Sequence, residues 1–312
     1  MMDQITIKES TEIREVTCYP PYGPRLLQAK SEFLPKETYI VESPSALWIL
    51  LQPWIVAGKL TRFARESSID FLRAAYHLIS ALRESNFENI SEVVPLAGAL
   101  YYGLAGAFQD VFGETINRCF VGAKRHLTPS GWETELSYLN FEALSPESVV
   151  LIGDTIATGG TITSIIKSTL EKSDDVRAII IYAIAGGVLG AHRIKEIEEL
   201  TQVPIYCFFS NAIFGVEDNG TDMPWLNPAT IVSSENRKKA MAAYGPYLGK
   251  QFCSIWDWGE RAKYPLKHLK KLSERCELEL SKVNDDSTKQ ILQRIQLEAQ
   301  KAIERRKRTL SI

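Results

Sequence analysis

At 312 residues, with 45% hydrophobic and 24% charged side chains, the chain has the composition of a soluble protein that can bury one sizeable core and carry an added lobe. A formal net charge of −2 puts no strong field around it, so neither a nucleic acid nor an anionic membrane is expected as its partner. No N-terminal signal pattern and no membrane-length apolar run occurs, and the five cysteines (Cys18, Cys119, Cys207, Cys253, Cys276) are odd in number and never spaced C-x-x-C, which suits a reduced, cytoplasmic protein. The histidines His77, His126, His192 and His268 are too scattered for a zinc site.

Residues 1–64 read as an N-terminal packing layer, or as an arm that caps a neighbouring subunit. The run Tyr19-Pro20-Pro21-Tyr22-Gly23-Pro24 rules out a regular element there. Ala46 to Leu51 is apolar and should pack on the core. Ser67 and Ser68 precede an amphipathic stripe of Phe71, Leu72, Ala75, Leu78, Ile79 and Leu82, so a helix capped by serine is expected. Residues 90–96 read as a short strand, followed by small residues at Gly98, Ala99 and Gly103 that allow close backbone approach or helix packing. Residues 117–123 and 136–141 read as two strands joined by a polar, basic, Gly/Pro-containing tip, a long hairpin. Its Lys124-Arg125 pair is either a solvated tip or an anion contact.

The most informative stretch is residues 149–162. Val149-Val150-Leu151-Ile152 suits a strand covered on both faces, with Gly153 and Asp154 at its end. Thr158-Gly159-Gly160-Thr161 then gives a turn with two residues free to take positive φ, and Ile162, Ile165, Ile166 and Leu170 continue at helical spacing. A glycine turn opening a helix presents free N–H groups at the positive end of the helix dipole, a seat for phosphate to which two threonine hydroxyls add donors. A carboxylate beside it is suited to sugar hydroxyls or to a magnesium ion carried by the ligand. The ordinary alternative is a strand–turn–helix with a Gly-Gly break. Neither G-x-x-x-x-G-K-[ST] nor G-x-G-x-x-G occurs in the chain.

Further strands are expected at 176–182 and 203–209, with a helix at 186–200 between them. This β-α-β-α-β order implies a parallel, doubly wound α/β sheet with ligands at the carboxyl ends of its strands, where Asp154 sits. Residues 214–248 are less regular, with one helix near 234–244, and two helices follow at 266–280 and about 291–302. The closing Arg305-Arg306-Lys307-Arg308 reads as a solvated end, with a dimer contact or a nucleic-acid tail as alternatives.

The stretch Gly153-Asp154-Thr155-Ile156-Ala157-Thr158-Gly159-Gly160-Thr161 resembles the phosphoribosyl-diphosphate (PRPP) signature of type I phosphoribosyltransferases. The family usually carries two acids before this loop, and this chain keeps only Asp154, with Gly153 in the first position. The chain looks most like the uracil phosphoribosyltransferase branch. That branch has a loop close to V-P-I-L-R-A-G-L, against Val94-Pro95-Leu96-Ala97-Gly98-Ala99 here, so the loop arginine falls on Gly98. A hood pattern like G-L-Y-R matches Gly122-Ala123-Lys124-Arg125. A C-terminal signature close to G-Y-I-V-P-G-L-G-D-F-G-D-R matches Gly249, Asp257, Gly259 and Arg261, with Trp258 and Glu260 as similar residues.

The resemblance covers about residues 65–265 and implies a domain there, with an insertion at about 214–248 lying over the pocket and a helical extension at 266–312. It implies a hairpin acting as a flexible hood, and transfer of ribose 5-phosphate from PRPP to a uracil-like pyrimidine with release of pyrophosphate, as in nucleotide salvage. The alternative is a PRPP-binding regulator that has lost transfer. The catalytic residues it implies are Asp154 and Arg125. PRPP would be bound by Arg125, Gly153, Asp154, Thr155, Ala157, Thr158, Gly159, Gly160, Thr161 and Asp257. The base would be read near Gln251, Trp256, Asp257 and Trp258. Magnesium would arrive on PRPP with no protein metal site, and the expected partners are PRPP, a nucleobase and a second copy in a homodimer.

Overall fold

Strands β1 (Glu12–Val16), β2 (Arg25–Lys30) and β3 (Glu37–Glu42) lead into β4 (Ile90–Leu96), β5 (Asn117–Thr128), β6 (Gly131–Asn140), β7 (Val149–Gly153) and β8 (Ala178–Ala183). After a two-residue strand β9 (Gly186–Gly187) comes β10 (Ile205–Ser210). All but β9 lie in one sheet of nine strands, ordered β1-β2-β3-β10-β8-β7-β4-β5-β6. These come from a computed structural model that describes residues 3–16, 23–96, 98–128, 131–251 and 258–309. From β3 to β5 across the sheet every pair is parallel; β1 and β2 at one edge and β6 at the other are antiparallel. Short strands β11 (Ala212–Phe214) and β12 (Ile231–Val232) join β9 in a second, three-stranded sheet.

The helices are α1 (Gln4–Glu9), α2 (Pro44–Leu51), α3 (Ala57–Leu78), α4 (Ser80–Glu84), α5 (Leu104–Phe112), α6 (Gly160–Leu170), α7 (Val188–Thr201), α8 (Ser234–Gln251), α9 (Trp258–Lys263), α10 (Pro265–Leu280) and α11 (Asp286–Thr309). They cover both faces of the sheet. Because successive strand side chains point to opposite faces, the central strands divide between two cores. Val149, Leu151, Ile180, Tyr182 and Phe208 pack with Phe71, Leu72 and Phe108 from α3 and α5. Val150, Ile152, Ile179, Ile181 and Phe209 pack with Ile162, Ile165, Ile166 and Ile194 from α6 and α7. The doubly wound, mostly parallel α/β sheet expected from the sequence is therefore the fold, with a β5–β6 hairpin and helices at its C-terminal side.

Several local expectations change. Ser67 and Ser68 do not cap a helix; α3 begins ten residues earlier, at Ala57, and buries both inside. Ser68 Oγ donates to Tyr102 O at 3.0 Å, and Ser67 Oγ bonds the Tyr182 hydroxyl on β8, so both polar residues on the buried stripe are satisfied. Residues 1–64 supply three strands of the main sheet, and α3 runs through residue 64 without a break. The hairpin strands are longer than expected, paired out to Thr128 and Gly131. The segment 214–248 contributes core: Trp225 is buried, its Nε1 donates to Leu50 O at 3.1 Å, and its ring meets Phe214 edge-on at 5.0 Å.

Candidate active site

The site is assembled where β7 ends. Asp154 leaves the strand with its N–H still donating to Tyr182 O (3.0 Å), and Ile156 N–H donates to Ala185 O (3.0 Å). Gly187 N–H returns a bond to Ile156 O at 2.6 Å, so the chain just before the turn is woven into β9. The turn reaches α6 through Gly159, whose φ of +85° lies in the left-handed region. A Cβ there would also stand 2.9 Å from Gly190 Cα, so backbone geometry and packing both require glycine. Gly160 is different. Its φ is not positive, and a Cβ would meet only Thr134 Oγ1 at 3.5 Å and Arg193 Nη1 at 3.6 Å. Only one of the two expected left-handed positions is used.

No side chain caps the N-terminus of α6, so its first N–H groups are left for solvent or a ligand. A small open cleft runs along Thr155–Ile162. Thr158 and Thr161 are half-buried on it. Thr161 Oγ1 lies 3.3 Å from Thr134 Oγ1 on β6, which brings the hairpin onto the turn. The backbone of Arg125 on β5 is directly opposite Thr134, so this residue sits in the strand pair that reaches the turn.

On the other side of Asp154 stands Tyr102. Its hydroxyl lies 3.2 Å from Thr155 Oγ1 and accepts from Ile184 N–H at 3.1 Å, and its ring is fully buried. Burial first, and then the nearby Asp154 charge, push the phenol well above its ordinary pKa, so it remains a neutral hydrogen-bonding group. A Cβ on Gly153 would come 3.2 Å from Cδ1 of this ring. The space beside Gly153 is thus taken by the Tyr102 ring. Asp154 is half-buried, and one carboxylate oxygen accepts its neighbour's Thr155 N–H at 2.8 Å.

Trp258 reaches the same place from the far end of the chain. Its Nε1 donates to Gly98 O at 3.0 Å, and its ring leans on Tyr102 at 5.1 Å. A Cβ on Gly98 would lie 3.7 Å from Trp258 Cδ1 and 4.0 Å from Asp154 Oδ1. Gly98, Asp154, Tyr102 and Trp258 therefore form one cluster joining the turn that follows β4, the end of β7 and the start of α9. Trp256 and Asp257 lie outside the described residues. Gln251 is exposed at the C-terminal end of α8. Two other residues of that signature are structural. Arg261, 1% exposed, donates to the carbonyls of Ile49, Gln52 and Ile55, and burial lowers it to about 10. Glu260, also buried, pairs with Lys267 and Lys271, each at 2.8 Å.

Among the described residues no group of three His, Cys, Asp or Glu converges on a metal position. Among the described residues at this turn, Asp154 is the carboxylate, and a single carboxylate is the kind of group that contacts a magnesium ion carried by a phosphorylated ligand rather than one that holds a resident metal. Tyr102, Thr134 and Arg193 were not signalled by the sequence. Each comes from a different element, and their spacing in the chain carries no motif.

No protein-family model matches the sequence, and no curated protein matches it. Among solved structures, an Aquifex aeolicus protein aligns with 59% of this chain and 91% of its own, at 21% identity and a TM-score of 0.45. Adenine phosphoribosyltransferase from Thermoanaerobacter pseudethanolicus aligns over 67% of this chain and 99% of its own, at 18% identity and a TM-score of 0.33. That of Leishmania donovani aligns over 75% and 82%, at 14% identity and a TM-score of 0.34. These likenesses are weak, and the functional reading rests on the residues of this chain.

Proposed function

We propose that this chain binds PRPP and transfers its ribose 5-phosphate to a nucleobase, a uracil-like pyrimidine, with release of pyrophosphate. The observation that supports it is the uncapped, glycine-opened N-terminus of α6 directly after Asp154 at the carboxyl end of β7. The turn 158–161 grips the 5-phosphate, and Asp154 accepts from the ribose hydroxyls. A nitrogen of the base forms its bond to C1 as the C1–O bond to the diphosphate breaks, and the proton on that nitrogen leaves to solvent. Charge builds on the departing diphosphate, where Arg125 on the hairpin neutralises it and the closed hairpin keeps water from C1. Magnesium, carried by the diphosphate, adds positive charge there. Trp258, beside Gly98 and Asp154, supplies one wall of the base pocket.

A second reading, a PRPP-binding regulator without transfer, is favoured by Tyr102 filling the space beside Gly153. Pyrophosphate release from PRPP, followed against a panel of free bases, separates the two. Release with uracil supports the transferase. PRPP binding without release with any base supports the regulator, release with purines alone removes the pyrimidine, and absence of PRPP binding removes both readings.

A further inference from the structure

Arg193 lies on the second turn of α7, next to the phosphate turn rather than in it. Its Nη1 is 3.6 Å from the position a Cβ on Gly160 would take, and its own Cβ is 3.2 Å from the equivalent position on Gly159. The side chain thus runs along the turn and ends in front of the uncapped α6 N-terminus. Its neighbours on α7 are occupied: Lys195 pairs with Glu199 at 3.0 Å, and His192 contacts Phe33 O at 3.0 Å. No carboxylate among the described residues pairs with Arg193. A half-buried guanidinium held at a cleft of backbone N–H groups, without an anion of its own, is a group that waits for one.

We propose that Arg193 is a binding residue for the terminal phosphate of the phosphosugar. The phosphate seat is then built from three elements: the α6 turn, Arg193 from α7, and the Thr134 hydroxyl from β6, 3.5 Å from the same Gly160 position. This rests on the reading that the 158–161 turn holds a phosphate, and adds what makes that seat selective. Backbone amides and hydroxyls receive any oxyanion. A guanidinium with several fixed donors favours a dianionic phosphoester, so a sugar diphosphate lacking the 5-phosphate is discriminated against at this end. Thr134 connects the seat to the hairpin, because its hydroxyl lies 3.3 Å from Thr161 Oγ1 while its backbone pairs with Arg125.

The test uses the full chain, with ribose 5-phosphate and inorganic pyrophosphate as separate calorimetric probes. Arg193→Gln should lose about 10- to 100-fold in affinity for ribose 5-phosphate, as expected for a charge-assisted contact, with pyrophosphate affinity and melting temperature unchanged. Arg193→Lys should recover part of the loss. Unchanged ribose 5-phosphate affinity in Arg193→Gln, with the wild type binding normally, overturns the assignment and leaves the phosphoribosyl reading standing. Equal loss for both probes overturns it in favour of a structural role. A wild-type chain that binds neither PRPP nor ribose 5-phosphate overturns the phosphoribosyl reading itself, and this assignment with it.

Discussion

The ring of Tyr102 occupies the space that a side chain at Gly153 would need, with its Cδ1 3.2 Å from the would-be Cβ. The ring is fixed on all sides. It leans on Tyr182 and Trp258, and its hydroxyl is held by Thr155 and Ile184. Glycine at 153 and the aromatic at 102 are therefore sterically linked. Placing an acid here by Gly153→Asp should not raise turnover. It should cost about 1–3 kcal/mol of stability, the usual range for overpacking a filled core. Adding Tyr102→Leu should make the pair less destabilising than the sum of the two single changes. A double-mutant cycle by chemical denaturation reads this directly, and additivity would show that the two positions do not share the space.

The two glycines of the turn should behave differently. Gly159→Val places a side chain at φ +85° and against the backbone of Gly190, so it should fold poorly. Gly160→Val meets only the ends of Thr134 and Arg193, so it should fold with nearly wild-type stability and lose PRPP binding, because the added methyls fill the phosphate space. Calorimetry on the folded Gly160→Val protein checks this; unchanged PRPP affinity would place the phosphate elsewhere.

The central strands, α6, α7, α10 and the existence of the hairpin were legible in the sequence because apolar periodicity reports directly which faces are buried. The beginning of α3 was not. Its first turns carry Lys59, Arg62 and Arg65 on an exposed face, and the polar Ser67 and Ser68 imitate a cap although they are buried against Tyr182 and Tyr102. At the site, Asp154 and the turn were visible as local chain chemistry. Tyr102, Thr134 and Arg193 arrive from three other elements, and only the tertiary fold brings them together. Arg261 shows the opposite failure: its register suggested a functional signature, but its guanidinium is consumed by the carbonyls of the chain between α2 and α3.

Arg125 and Asp154 should separate in kinetics. If Arg125 neutralises the leaving diphosphate, Arg125→Ala lowers kcat by about 10- to 1,000-fold with a smaller change in the KM for PRPP, because the charge it meets develops in the transition state. Asp154→Asn should weaken PRPP binding as well as turnover, since the ribose hydroxyls are bound in both states. Steady-state pyrophosphate release measures both. A wild-type kcat for Arg125→Ala would make this arginine a surface charge.

Stability should fall in mild acid because of His268. The ring is 3% exposed, and its Nε2–H donates to Pro53 O at 2.8 Å. Burial first, and the nearby Arg261 second, lower its pKa from 6.5 to about 4; the Pro53 carbonyl and Glu260 oppose this shift, and Lys271 adds to it. The folded state therefore keeps the ring neutral where the unfolded chain takes up a proton. Between pH 6.5 and about 4 the unfolded state binds more protons, so stability drops as pH falls through this window and levels off below it. For this one group the loss at pH 5 relative to pH 7.5 is about 2 kcal/mol. His268→Gln keeps a donor for Pro53 O without a titrating ring. Urea unfolding at the two pH values should show a drop in the wild type that is smaller by about that amount in His268→Gln. Equal drops in the two proteins would assign the acid sensitivity to other groups.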